Sequence, residues 1–258
     1  MTDDSPAGKW IEDLSWPEVA RLLAAGRPVV IPIGARSKEH GHHLPMCTDY
    51  RLARAFCDGI AAALPVLVAP VVDFGYYPAF VRYAGSQHLQ ASTFIALLTD
   101  VIERFLDQGA AQIAIVNTGV STEGPVQIAV RDTLVRRGVQ IPVADIRTLG
   151  RGTAGLTAQK LGGHADERET SLMLAIAPEL VDMTHATADY GNMLDWPQSV
   201  FVAPVVFNGD PSSGTCFSRT GVRGDPSLAT VEKGRAILAD MIGELVAGLR
   251  PLCQGVGA

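Results

Sequence analysis

The chain reads as an α/β protein, a single domain over residues 1–258 with a mostly parallel central sheet flanked by helices. Three observations predict this. Short continuous apolar runs alternate with amphipathic helical stretches from near the start to the end. Buried strands alternating with helices imply parallel pairing with both faces of the sheet covered. The composition, 47% hydrophobic and 19% charged over 258 residues, suits one large core. The length permits two small domains, but no linker demands them.

Ser15-Trp16-Pro17-Glu18 resembles a capping box and opens a helix through Ala25, ended by Gly26. Val29 to Ile33 is a buried strand. Asp49 begins a helix that places Leu52, Ala53, Phe56, Ile60 and Ala63 on one face, and Pro65 closes it. Val66 to Val72 is the next strand. Phe94 to Gln108 is an amphipathic helix stopped by Gly109. Gln112 to Val116 is a strand, Val126 to Arg137 a helix, and Gln140 to Ile146 a strand. Glu169 to Leu180 is helical, with a boundary near Pro178. Val200 to Phe207 reads as a strand, Asn208 to Ser213 as a loop over the site, and Thr230 to Leu249 as the last helix.

Several function classes are disfavoured. Net charge is −6 with no Lys/Arg-rich stretch, so nucleic acid is not an expected partner. No apolar run approaches the ~20 residues of a membrane span. The first residues, M-T-D-D-S-P, lack a signal-peptide core. Cys47, Cys57, Cys216 and Cys253 are scattered and read as reduced thiols of a cytoplasmic protein. No G-x-S-x-G elbow occurs.

Chemistry concentrates in two stretches. Ser37 to Tyr50, S-K-E-H-G-H-H-L-P-M-C-T-D-Y, holds Glu39, His40, His42, His43 and Asp49, with three of the six histidines of the chain. Imidazoles and carboxylates at the C-terminal end of a buried strand suit a divalent metal such as Zn²⁺ or Mn²⁺. A solvated polar loop is the plainer alternative. Gly162 to Ser171, G-G-H-A-D-E-R-E-T-S, places His164, Asp166, Glu167 and Glu169 where a glycine-rich loop becomes a helix. One or two of these acids are accounted for by the helix dipole, the full set less easily. Gly150 to Gly155 fits G-x-G-x-x-G but lacks the βαβ frame of a dinucleotide site, and reads as a flexible loop near the active site. His88 and His185 stand alone and read as surface or capping residues.

Over nearly its whole length the sequence resembles the creatininase family of metal-dependent amidohydrolases. The first stretch is similar to that family's E-Q-H-G-P-H-L-P-L-x-T-D. Tyr83-Ala84-Gly85-Ser86 stands for F-P-G-T, Asn117-Thr118-Gly119 for N-G-H, and His164 to Ser171 for H-A-G-E-x-E-T-S. Gly221-Val222-Arg223-Gly224-Asp225-Pro226 and Ala229-Thr230-Val231-Glu232-Lys233-Gly234 follow its C-terminal G-V-x-G-D-P and A-T-x-E-K-G.

The resemblance implies a creatininase-like fold, a site for one or two divalent ions, a small-molecule substrate and a homo-oligomer, a hexamer. By position His40 and Asp49 correspond to metal ligands. Glu39 is the expected counterpart of the metal glutamate, although the family has one residue between glutamate and histidine and here the two are adjacent. His164 corresponds to the histidine near the reacting carbonyl, and Glu169 to a nearby carboxylate. The second metal histidine is replaced by Gly119, with His42 and Glu123 as candidate substitute ligands. These residues imply a hydrolase in which activated water attacks a carbonyl of a small, cyclic amide or related non-peptide C–N compound. Ring opening of a cyclic ketone, lactone or dicarbonyl, and a non-catalytic metal- or ligand-binding role, are the alternatives.

Overall fold

The structure is a computed structural model and describes residues 7–192, 200, 203–213 and 216–254. Five parallel strands form one sheet: β1 (Lys9–Trp10), β2 (Val29–Ile33), β3 (Leu67–Val68), β4 (Ile113–Asn117) and β5 (Val143–Asp145), in the order β1-β3-β2-β4-β5. The helices are α1 (Trp16–Ala24), α2 (Thr48–Ala63), α3 (Ala91–Asp107), α4 (Glu123–Arg137), α5 (Glu167–Ile176) and α6 (Val231–Leu249). The single-domain α/β architecture expected from the sequence is the one observed.

Strand alternation sorts the core into two layers. Val30, Ala114 and Val116 face α2, α5 and α6 through Leu52, Phe56, Ile60, Leu172, Ile237 and Met241. Val29, Ile31, Ile33, Ile113 and Ile115 face α1, α3 and α4 through Leu22, Phe94, Leu98, Ile102 and Val126. β2 and β4 are fully buried, which is why they read as unbroken apolar runs.

The chain leaves the two central strands in opposite directions. β2 leads through α2 back to β3 on one side, and β4 leads through α4 to β5 on the other. The crevice beyond their carboxyl ends is therefore the switch point where such sheets bind ligands. The Ser37–Tyr50 stretch leaves β2 there, and Asn117-Thr118-Gly119 leaves β4.

Several expected elements come out differently. The strand expected over residues 66–72 is regular only at Leu67–Val68, because Pro70 has no N–H for the ladder; Val72 rejoins as a single bridge to Ile33. The strand over 140–146 begins at Val143, after Pro142, for the same reason. α5 begins at Glu167, two residues early, capped by Asp166, and ends at Ile176 ahead of Pro178. Val200 to Phe207 is not a strand among its described residues; the pairing nearby is one bridge, Asn208 to Phe217. Residues 201–202 of that expected strand lie outside the described set. The Gly150–Gly155 loop forms 3-10 turns against α6, and the N–H groups of Gly150 and Arg151 donate to the Glu244 carboxylate at 2.7 and 3.2 Å. The groups that a phosphate would need are thus already used.

Candidate active site

Lys38, Glu39 and His40 follow β2 and are all buried. Gly41, at φ 73°, turns the chain away, so His42 is exposed while His43 returns inward. Asp49 sits in the first turn of α2 and is 1% exposed. Its Oδ1 lies 3.0 Å from His40 Nε2, and its Oδ2 lies 2.7 Å from the Lys38 ammonium. That second contact is an ion pair rather than a well-angled hydrogen bond. His40 Nδ1 faces the Lys38 carbonyl at 2.9 Å, so both ring nitrogens face oxygen.

His164 comes from the far side of the crevice. Its N–H and carbonyl pair with Arg223 in an antiparallel bridge, at 3.4 and 2.8 Å. The Phe80 ring stacks on its imidazole with centroids 3.9 Å apart, and His40 lies 4.8 Å away. The next residue, Ala165, is held at φ 49°, a conformation L-residues rarely adopt. Its N–H donates to Glu169 Oε2 at 2.6 Å, which compensates that strain and orients the carboxylate.

Glu39 turns toward His164, not toward Asp49. The His164 Nε2–H donates to Glu39 Oε2 at 3.0 Å and to the Glu39 carbonyl at 2.9 Å. The Gly41 N–H closes on the other carboxylate oxygen. Gly221, at φ 86°, passes so close that any Cβ there would collide with the Glu39 carboxylate. The C-terminal motif thus serves the site: Gly221 makes room for Glu39 and Arg223 braces His164. The A-T-x-E-K-G motif is structural. Lys233 Nζ lies 2.5 Å from buried Glu167, and Gly234 lets α6 touch the Ser171 backbone.

Burial alone would raise the Glu39 carboxyl and lower the His164 imidazole. Their mutual attraction outweighs it, so Glu39 is held below and His164 above its ordinary value. Burial would likewise raise Asp49 and lower Lys38. Their pairing reverses both, holding the carboxyl charged and the ammonium protonated. His43 is different: burial, helped by nearby His40, lowers it to about 4, and its Nε2 contacts Thr170 Oγ1 at 2.8 Å.

Among the described residues, one trio brings possible metal-ligand atoms within 4.8 Å of one another: His40, His164 and Glu169. The expected set of Glu39, His40 and Asp49 does not converge in this way, because Glu39 is committed to His164. Of the two candidate substitutes, exposed His42 points outward and Glu123 is ion-paired with Arg147. Gly119 places no side chain in the crevice, and its N–H donates to Asn117 Oδ1 at 3.1 Å.

Known proteins share this fold and sequence pattern. The sequence profile of the Creatininase family, described as creatinine amidohydrolase, matches residues 12–249. The chain belongs to the creatininase family. It is 27% identical to creatinine amidohydrolase of Pseudomonas putida over 89% of this chain and 91% of that protein. It is 29% identical to the mycofactocin precursor peptide peptidase of Mycobacterium tuberculosis (strain CDC 1551 / Oshkosh), over 88% and 86%. It is 24% identical to 3-dehydro-scyllo-inosose hydrolase of Thermotoga maritima (strain ATCC 43589 / DSM 3109 / JCM 10099 / NBRC 100826 / MSB8), over 94% and 84%. A crystal structure of creatinine amidohydrolase superposes with a TM-score of 0.79, at 23% identity over 97% of this chain and 99% of that one.

Lys38 is the site residue that the sequence alone did not single out. The signal was there. Aligning His40 with the histidine of E-Q-H-G puts Lys38, not Glu39, at the glutamate's place.

Proposed function

We propose that this creatininase-family chain is a hydrolase that adds water to a carbonyl carbon and breaks an adjoining C–N bond of a small substrate. One observation carries the reading: His164 is buried, held charged by Glu39, and turns Nδ1 toward Glu169 at 3.9 Å. At that spacing a water seated beside the pair reaches both a proton donor and a carboxylate. In this mechanism Glu169 takes a proton from water as its oxygen bonds the carbonyl carbon. The Nδ1–H of His164 faces the developing oxyanion and passes to the leaving nitrogen as the C–N bond breaks. Glu169 also borders an open hollow of about 230 Å³ with Arg147, Gly163 and Arg168, a route for a small substrate.

The resemblance implies a divalent ion, Zn²⁺ or Mn²⁺. The Asp49 end of the site does not fit one. An ammonium already lies on Asp49, and a dication about 4 Å from it would be repelled by about 8 kcal/mol at an effective dielectric of 20. No step of the mechanism is routed through a metal. A second reading places an ion on His40, His164 and Glu169, favoured by their convergence. Tetrahedral zinc ligands lie about 3.4 Å apart, so a 4.8 Å spread would have to contract.

Three relatives widen the expected substrate beyond a non-peptide amide. One is named as a peptidase and another as a hydrolase of an inosose, a cyclic ketone. Addition of water to the carbonyl carbon is common to all three; for a cyclic ketone the bond then broken is C–C, and the proton goes to the leaving carbon instead of a nitrogen. Turnover of a panel of cyclic amides, short peptides and cyclic ketones by wild type and His164→Ala tests the reading. Hydrolysis confined to wild type supports it; equal turnover by both sinks it. Assembly into a homo-oligomer, a hexamer by resemblance, belongs to the same reading and is measured by light scattering.

A further inference from the structure

We infer that the ammonium of Lys38 is the resident cation of this site and stands on Asp49 where a divalent ion would otherwise bind. The inference rests on the placement of the site given above, but metal binding is read without turnover, so the two fail separately.

Four observations carry it. Lys38 is 6% exposed and Asp49 1%, so neither charge can turn to solvent without opening the crevice. The contact is short, 2.7 Å, and His40 takes the other carboxylate oxygen at 3.0 Å. The cavity shared by Lys38 and Asp49 is lined by no further imidazole, thiolate or carboxylate among the described residues: Gly119 and Ser121 stand just beyond the end of β4 there. That cavity holds about 10 Å³ of free space, near the minimum for one water. Finally, Asp49 and Glu39 are already paired with Lys38 and His164, which leaves one site carboxylate, Glu169, against the two charges of a dication. A dication would add an uncompensated excess to a buried site.

Placement along the chain agrees. Lys38 lies two residues before His40, where the family motif carries an acid, so one substitution turns a ligand into a charge of the opposite sign. Lysine suits the role because its ammonium is a compact point charge on a flexible stem.

The test is a metal count. Wild type, Lys38→Glu and the double variant Lys38→Glu/Asp49→Asn are stripped with chelator, dialysed against Zn²⁺ or Mn²⁺, and measured by elemental analysis. Lys38→Glu should hold one ion per chain more than wild type, and the double variant should lose that gain. A natively folded Lys38→Glu with no gain overturns the inference. So does a wild-type ion that Asp49→Asn removes. If Lys38→Glu does not fold, Lys38→Met replaces it. Its thermal midpoint should fall and be restored by Zn²⁺, with no such shift in wild type. A fall that Zn²⁺ leaves unrestored overturns the inference equally.

Discussion

Two halves of one crevice each pair a buried carboxylate with a buried cation, and they do opposite things. On the β2 side, Asp49 has Lys38 on one oxygen and His40 on the other, so every oxygen is spoken for. On the α5 side, Glu39 holds only one edge of His164, and the other edge faces Glu169 across 3.9 Å. The first half is closed and serves structure and charge. The second is half open, and in the proposed mechanism it carries the chemistry. Ion pairing alone therefore does not mark a reacting group; an unfilled edge beside a pair does.

The largest effect that would break this comparison is on turnover. His164→Ala should lower kcat by about 10²–10⁴-fold, the usual worth of a positioned general acid. It should also lower the thermal midpoint, as Asp49→Ala does, because Glu39 stays buried without its cation, so the two halves differ in their effect on kcat. Steady-state kinetics beside a melting curve separates the halves, and a large loss of stability with unchanged kcat would reverse their roles.

Stability comes next. Asp49→Ala leaves the Lys38 ammonium buried without a partner, and breaking such a pair costs about 3–5 kcal/mol. Urea unfolding should show it as a lower midpoint. The double variant Lys38→Met/Asp49→Ala should recover much of the loss, since removing both charges spares each its desolvation. No recovery would mean that Asp49 acts through His40 rather than Lys38.

His43 sharpens the comparison by pH. Its folded value of about 4 lies below the unfolded value of 6.5, so the unfolded chain binds the extra proton between them. Stability should therefore fall as pH drops from about 6.5 to 4, by about 1–3 kcal/mol. His43→Gln should flatten that part of a stability-versus-pH curve. An unchanged slope would assign the effect to another group.

Gly221→Ala acts on the open half alone. A methyl there meets the Glu39 carboxylate and strains a backbone at φ 86°. The expected cost is about 1–2 kcal/mol with a lower kcat, because the carboxylate that holds His164 must shift. Melting and kinetics on the same sample read both.

Much of this was legible in the sequence, and the reasons are physical. β2 and β4 are buried on both faces, so continuous apolar runs disclosed them. Pro70 and Pro142 shortened two strands in ways that hydrophobicity alone hides but the missing N–H explains. His40, Asp49, His164 and Glu169 stand out in the sequence as imidazoles and carboxylates at the ends of strands and helices, and the resemblance links them. Which carboxylate meets which cation was not legible. Glu39 pairs with His164 across 125 residues of chain, and Gly221 permits it. Lys38 stands at the acid's place in the family motif, but only its burial on Asp49 makes it a cation of the site.

The smallest expected effects belong to the two residues considered as replacements for the ligand missing at Gly119. Glu123 pairs with Arg147 at a side-chain exposure of 38%, and His42 is exposed beyond the turn at Gly41. Exposed pairs contribute about 0–1 kcal/mol, and neither residue reaches the His40, His164 and Glu169 trio. Glu123→Gln and His42→Ala should each leave kcat within about twofold and the melting midpoint nearly unchanged. A large loss in either, restored by added Zn²⁺, would bring that residue into the site and shift the chemistry toward the β2 half. An unchanged pair keeps the working residues on the α5 side, where the open edge of His164 is.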